Sequence, residues 1–227
     1  MSEDSGGREN RLYVAVTIII AIVIILTVFF SANSLNVAYI DGDILTNNKW
    51  FEDINERDSQ ERLFGLEKQA SFTYKIEGNY PAYLTVTSIK TLFMMGEDDL
   101  LEKIIETINN EAINLGLVLD NNASFIGQRA LNNSHKTRYV IFDGVDNSTN
   151  ISETIKIIGE TWNCGTKGTS IICIGFAQIT DLLHNNSNEN LANWAAILKD
   201  DDGTFTSEYG SSAFQGYDGL IYNVKCH

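Results

Sequence analysis

The sequence lacks the local motifs that mark the commonest catalytic sites. It contains no Gly-x-Ser-x-Gly nucleophile elbow, no glycine-rich phosphate loop and no dinucleotide-binding fingerprint. Histidine occurs only three times, and His135, His184 and His227 lie in polar turns or at the chain end. No Cys-x-x-Cys pair is present, so neither a zinc site nor a redox motif is predicted. The sequence therefore predicts no catalytic residue and no cofactor.

Basic residues are scarce as well. Only 16 Lys and Arg stand against 30 Asp and Glu, which gives a formal net charge of −14. A chain this acidic is not expected to bind nucleic acid or an anionic lipid surface through its overall charge. The same charge can attract cationic partners, or it can serve solubility alone.

One long apolar run interrupts this polar composition. Residues 12–30 contain no charged side chain, and as a helix they would span about 28 Å, close to the thickness of a bilayer's hydrocarbon core. We predict a transmembrane helix at 12–31 that anchors the chain in the lipid bilayer. The alternative is a cleaved signal peptide, but a cut after Ala32 would put Phe30 where a small residue is required.

The basic residues near this run predict its orientation. Arg8 and Arg11 precede the run, and no Lys or Arg follows it until Lys49. The positive-inside rule then places the N-terminus in the cytoplasm and the remainder outside the cell membrane. We therefore predict four parts: a cytoplasmic tail (1–11), the transmembrane helix (12–31), a neck (32–62) and an extracytoplasmic domain (63–227).

Apolar periodicity in the outer part predicts an α+β domain, in which an antiparallel sheet has helices packed on its face or faces. The single proline, Pro81, falls in the turn between the first two strands, where its missing N–H does no harm. Strands are predicted at 63–78, 80–95, 124–131, 137–145, 154–164 and 170–179, helices at 96–117 and 188–200, and a short last strand at 220–226.

This element order, with the segments FIGQRAL and TRYVIFDG and a late amphipathic helix, resembles the PsbP-like fold of photosystem extrinsic proteins and related accessory lipoproteins. The resemblance covers residues 63–200 at the level of element order. It implies an antiparallel sheet between helices and a non-enzymatic accessory or binding module. It transfers no functional residue to this chain.

The three cysteines allow one disulfide in an extracytoplasmic domain. A tight turn between the strands at 154–164 and 170–179 would place Cys164 opposite Thr169 and Cys173 opposite Glu160. Cys164 and Cys173 would then lie roughly 13 Å apart, too far for a bridge. We predict a Cys164–Cys226 disulfide, with no disulfide as the alternative.

Acidic, aromatic and asparagine residues suggest further sites. Asp200, Asp202 and Glu208 offer oxygen ligands for calcium, although the EF-hand spacing is missing and a solvated turn is the alternative. Four aromatic residues are candidates for a binding surface: Trp50, Trp162, Phe205 and Tyr209. For Trp162, packing in the core is the alternative. Five Asn-x-Ser/Thr sequons permit glycosylation outside the cell: Asn122, Asn132, Asn147, Asn150 and Asn185.

These observations favour a membrane-anchored, extracytoplasmic module that binds a protein partner and does no catalysis. Two alternatives stay open. One is an anchored hydrolase whose site has no recognisable motif, for which Glu160 and His135 are a candidate pair. The other is a structural subunit of the cell surface.

Overall fold

The computed structural model describes residues 35–62, 67–91, 94–147, 151–165, 168–184, 189–198 and 218–226. Residues 36–227 form one compact unit built on an eight-stranded antiparallel sheet. The strands are β1 (Trp50–Glu52), β2 (Asp58–Arg62), β3 (Glu67–Ile76), β4 (Ala82–Lys90), β5 (Leu117–Ala130), β6 (Lys136–Asp146), β7 (Glu153–Cys164) and β8 (Thr169–Gln178). The helices are α1 (Gly42–Asn47), α2 (Glu97–Leu115) and α3 (Ala192–Leu198).

The strand order across the sheet is β1-β3-β4-β8-β7-β6-β5, with β2 also paired to β3. Two short strands therefore share the outer edge of β3. β1 pairs with residues 74–76 of β3, and β2 pairs with residues 67–71. The opposite edge is β5, whose pairing with β6 shifts register between Asp120 and Phe125. Helix α2 carries the chain from β4 to this far edge, and the expected antiparallel α+β domain is confirmed.

The β7–β8 hairpin fixes the register at the centre of the sheet. Gly165 and Gly168 adopt the left-handed backbone region with φ of 69° and 74°, which side chains other than glycine rarely tolerate. The resulting register places Cys164 opposite Thr169, as the spacing predicted. Most residues of β7 and β8 are buried on both faces of the sheet, so each face needs its own cover.

Helix α2 covers one face. Its apolar stripe is buried, and the helix packs mainly on β7 with further contacts on β5, β6 and β8. Full burial of each such Leu or Ile contributes about 1.5–3 kcal/mol. The helix ends at Leu115, and the capping residue Gly116 has a left-handed φ of 75°, which glycine adopts readily. The buried stripe consists of Leu100, Leu101, Ile104, Ile108 and Ala112.

Helix α3 and both ends of the domain cover the other face. Trp194, Ile197 and Leu198 of α3 are buried there together with the C-terminal Leu220 and Ile221. The segment before α1 joins the same cluster, and a single antiparallel bridge pairs Tyr39 with Lys225. The two ends of the domain therefore close one core layer together.

The region predicted as a neck at 32–62 contributes to the domain, because α1, β1 and β2 all lie within it. These elements escape periodicity analysis for a physical reason. β1 has only three residues, and all five residues of β2 are exposed. Backbone pairing to β3 holds both strands in place, and in β1 the buried side chain of Trp50 adds to it.

Two other elements differ from the prediction. The predicted strand at 220–226 is instead a short 3-10 turn at Ile221–Asn223, followed by a single bridge between Lys225 and Tyr39. β5 begins at Leu117 rather than at residue 124. Among the described residues no helix is long and apolar enough to cross a membrane. The predicted tail and transmembrane helix lie outside the described residues.

The packing of α2 on β7 gives a stability prediction. A Cβ added at Gly159 would lie 2.1 Å from Cγ2 of Ile104 and 2.9 Å from Cδ1 of Ile108. Gly159→Ala should therefore lower the free energy of unfolding by about 1–3 kcal/mol. Gly42→Ala is the matched control, since nothing lies within 4 Å of its added Cβ. Urea denaturation of both variants should show a loss for Gly159→Ala alone, and equal stabilities would contradict this packing.

Candidate binding cleft

A cleft of about 300 Å³ opens between the C-terminal half of α2 and strand β4. It lies on the sheet face that α2 covers, where the helix packs over β5 to β8 and leaves part of the surface of β4 accessible. Its wall and floor come from one helix and four strands, so the cleft depends on the assembled domain. The lining residues are Tyr83, Thr85, Thr87, Thr107, Ile108, Glu111, Ala112, Leu115, Leu117, Ile157 and Ile174.

The β4 wall of the cleft carries hydroxyl groups at every second residue. Tyr83, Thr85 and Thr87 line the cleft because alternate residues of a strand face the same side. Two cross-strand contacts orient these threonines: Thr85 Oγ1 lies 3.3 Å from Thr73 Oγ1, and Thr87 Oγ1 lies 3.0 Å from Ser71 Oγ. Strand β3 thus orients the hydroxyls of Thr85 and Thr87 before any ligand arrives.

Tyr83 forms the polar end of this row. Its ring stacks on Phe176 with centroids 4.9 Å apart. Burial raises the pKa of Tyr83, and the nearby Glu111 carboxylate raises it further. The phenol consequently stays protonated at neutral pH and can donate a hydrogen bond into the cleft.

The mouth of the cleft combines one negative charge with one apolar side chain. Glu111 and Leu115 lie one helical turn apart on α2, and both are exposed. Leu115 leaves 52% of its surface accessible. Apolar residues such as Ile108 and Ile157 form the floor. The cleft can therefore accept an apolar group that carries a positive charge close to it.

The candidate hydrolase pair does not line this cleft. Glu160 accepts hydrogen bonds from Arg129, with Nε–Oε1 at 2.8 Å and Nη2–Oε2 at 2.6 Å, and from Thr137 Oγ1 at 2.5 Å. The side chains of Arg129 and Glu160 are 2% and 0% exposed. Arg129 Nη1 also donates to the carbonyl oxygen of Leu198 at 2.7 Å, which ties β5 to helix α3. Glu160 is thus a structural group rather than an accessible base.

The cysteine predictions are confirmed. Cys164 and Cys226 form a disulfide with a Cα–Cα distance of 6.3 Å, which joins the end of β7 to the C-terminal segment. Cys173 is a buried free thiol. Burial, and secondarily the Glu160 carboxylate, raise the pKa of Cys173 well above its usual range. This thiol is therefore protonated and a poor nucleophile.

Of the remaining predicted site residues, two are buried, three are exposed, and the others lie outside the described residues. Trp50 and Trp162 are 3% and 1% exposed, so the prediction that they form a binding surface is wrong, and the alternative of core packing for Trp162 is confirmed. The reason is that both rings fill the core layer beneath α3. The sequon residues Asn122, Asn132 and Asn147 are exposed. Outside the described residues lie the calcium candidates Asp200, Asp202 and Glu208, the aromatics Phe205 and Tyr209, and the sequons Asn150 and Asn185.

Sequence reasoning missed the cleft itself. The available signal is the alternation Tyr-x-Thr-x-Thr at 83–87, which places three hydroxyl side chains on one face of a strand. The same pattern is also typical of a strand whose polar face meets solvent. The position of α2 across the sheet, which the sequence does not reveal, is what turns this face of β4 into the wall of a cleft.

The buried ion pair gives a second stability prediction. Arg129→Met leaves the Glu160 carboxylate buried without its charged partner, so the free energy of unfolding should fall by about 3–5 kcal/mol. Lys68→Met is the matched control, because Lys68 pairs with Glu61 at 3.1 Å on the surface and should cost less than about 1 kcal/mol. The measurement is urea denaturation of both variants. A loss for Arg129→Met no greater than that of Lys68→Met would contradict a structural role for the pair.

Comparison with known proteins supplies no further assignment. No protein-family model, curated protein or solved structure matches this chain. The chemistry of the cleft and the predicted membrane anchor are therefore the basis for a functional proposal.

Proposed function

We propose that this protein is a membrane-anchored, extracytoplasmic binding module without catalytic activity, and that it recognises a protein partner through the cleft between α2 and β4. One observation carries the proposal: a preformed, largely apolar cleft with a hydroxyl row on one wall and a single carboxylate at its mouth. Concave apolar sites with a few oriented polar groups are the usual form of binding sites.

The lining chemistry supports binding rather than catalysis. Acyl, glycosyl or phosphoryl transfer needs a nucleophile beside a base, or two facing carboxylates, or a metal. Among the described residues that line the cleft, Glu111 is the one carboxylate, and no histidine or cysteine is present. The hydroxyls of Thr85 and Thr87 contact hydroxyls of β3 rather than a base.

Charge supports a partner that presents a basic residue next to a large apolar one. The apolar side chain would occupy the floor formed by Ile108 and Ile157, while its basic neighbour would meet Glu111. The formal net charge of −14 favours the approach of such a cationic segment from a distance. An acidic partner would be repelled at the same surface.

The membrane placement rests on the sequence. The apolar run at 12–31 and the flanking Arg8 and Arg11 support an anchor with the domain outside the cell. The Cys164–Cys226 disulfide supports an oxidising compartment, where such bonds persist. Tethering to a surface would confine the search for a partner to the same membrane or its immediate surroundings.

A matched pair of peptide probes tests the proposal. We expect N-acetyl-Leu-Arg-amide to shift amide NMR signals of β4 and the C-terminal half of α2 in the full chain held in lipid nanodiscs. N-acetyl-Leu-Glu-amide should bind about two- to fivefold more weakly, because an exposed charge pair contributes about 0.4–1 kcal/mol. In Glu111→Gln this preference should disappear.

Two neighbouring substitutions provide the control for position. Leu115→Ser removes an apolar wall of the cleft and should weaken binding of N-acetyl-Leu-Arg-amide several-fold. Ile113→Ser should leave binding unchanged, since Ile113 is 75% exposed and does not line the cleft. Signal changes confined to other surfaces, or equal loss in both variants, would overturn the assignment of the cleft.

A further inference from the structure

Three side chains that can ligate a metal meet at one point on the sheet face covered by α3. His135 comes from the turn between β5 and β6, Cys164 ends β7, and Cys226 belongs to the C-terminal segment. Their ligating atoms all lie within 4.8 Å of one another, and both cysteines are buried while His135 is partly buried. The imidazole Nε2 of His135 is 3.5 Å from Sγ of Cys226.

The turn that carries His135 is tied to the C-terminal segment. Ser134 adopts the left-handed backbone region with φ of 64°, and Leu131 N–H donates to the carbonyl oxygen of His135 at 2.9 Å. Asn133 Oδ1 accepts from the backbone N–H of His135 at 3.1 Å, and Asn133 Nδ2 donates to the carbonyl oxygen of Val224 at 3.2 Å. These contacts tie the turn that carries His135 to the C-terminal segment through hydrogen bonds other than the disulfide.

The distance between Cys226 and His135 matches tetrahedral zinc coordination. Zn–S and Zn–N bonds of about 2.3 and 2.05 Å at a tetrahedral angle separate sulfur from nitrogen by about 3.6 Å. The observed distance between Cys226 Sγ and His135 Nε2 is 3.5 Å. Two zinc-bound sulfurs would be about 3.8 Å apart, so the sulfur–sulfur bond must be broken before a metal can enter. Two thiolates and an imidazole are the ligands that zinc prefers.

We infer that reduction of the Cys164–Cys226 disulfide converts this cluster into a Cys₂His zinc site. A dithiol supplies two electrons and two protons, becomes a disulfide itself, and leaves Cys164 and Cys226 as thiols. Zn²⁺ then binds both sulfurs and Nε2 of neutral His135, and the two thiol protons pass to solvent. The fourth tetrahedral position is left for water.

The disulfide and the metal are mutually exclusive, since they use the same two sulfurs. Each joins the C-terminal segment to the end of β7, so zinc preserves this connection while the chain is in its thiol state. A newly made chain that has not yet been oxidised is in that state. The site lies apart from the lining of the cleft, and the inference does not depend on the proposed binding function.

Cobalt and zinc titrations of the full chain test the inference. The chain is reduced with dithiothreitol under anaerobic conditions, freed of reductant, and titrated with Co²⁺. We expect one Co²⁺ per chain, with tetrahedral d–d bands and thiolate-to-cobalt absorption that Zn²⁺ abolishes by displacement. The oxidised chain should show neither signal. This comparison needs no variant.

Matched variants identify the ligands. His135→Ala should weaken zinc binding by more than the roughly 10–100-fold lost when an outer-shell partner is removed. His184→Ala and Cys173→Ala should bind zinc as the parent chain does, because neither residue belongs to the cluster. If His135→Ala does not fold, His135→Gln replaces it, with circular dichroism as the check.

Three results would overturn the inference. The first is a reduced chain that binds no more cobalt than the oxidised chain. The second is a folded His135 variant that retains the parent affinity and spectrum. The third is a reduced chain that unfolds and that zinc does not refold.

Discussion

The structure depends on a sheet whose central strands are apolar on both faces. β7 and β8 bury nearly every residue, so the sheet is stable only when two separate layers exclude water from it. Helix α2 supplies one layer, while α3 and the two ends of the domain supply the other. The close approach of α2 at Gly159, the buried Arg129–Glu160 pair and the C-terminal disulfide all belong to this double cover.

The cleft follows from an incomplete cover on one side. A single helix is about 10 Å wide, whereas strands in a sheet are spaced by about 4.8 Å, so α2 cannot shield every strand of an eight-stranded sheet. The helix lies over β7 and its neighbours and leaves β4 partly open. At that place β4 carries Thr85 and Thr87 rather than large apolar residues, which makes the open surface both soluble and able to form hydrogen bonds.

Sequence reasoning succeeded where a feature has a local period or a fixed register. The stripe of α2 and the strands from β3 to β8 followed from apolar periodicity, apart from the early start of β5. The register of the tight hairpin excluded a Cys164–Cys173 bridge and left Cys226, at the chain end, as the partner of Cys164. It failed where contacts between residues distant in sequence determine the structure. β1 and β2 exist through backbone pairing to β3, Trp50 is buried by distant segments, and the Arg129–Glu160 pair joins residues 31 positions apart. The cleft and the His135 cluster likewise depend on tertiary placement.

The central claim is that an open cleft exists between α2 and β4. Filling that cleft with a larger side chain tests the claim most directly. Thr107 lines the cleft and its hydroxyl donates to the carbonyl oxygen of Lys103 in its own helix, so Thr107→Phe introduces a ring without stranding a buried polar group. The account predicts unchanged or slightly greater stability in urea denaturation, together with lost binding of N-acetyl-Leu-Arg-amide. A loss of about 1–3 kcal/mol, as in an overpacked core, would contradict the existence of the cleft.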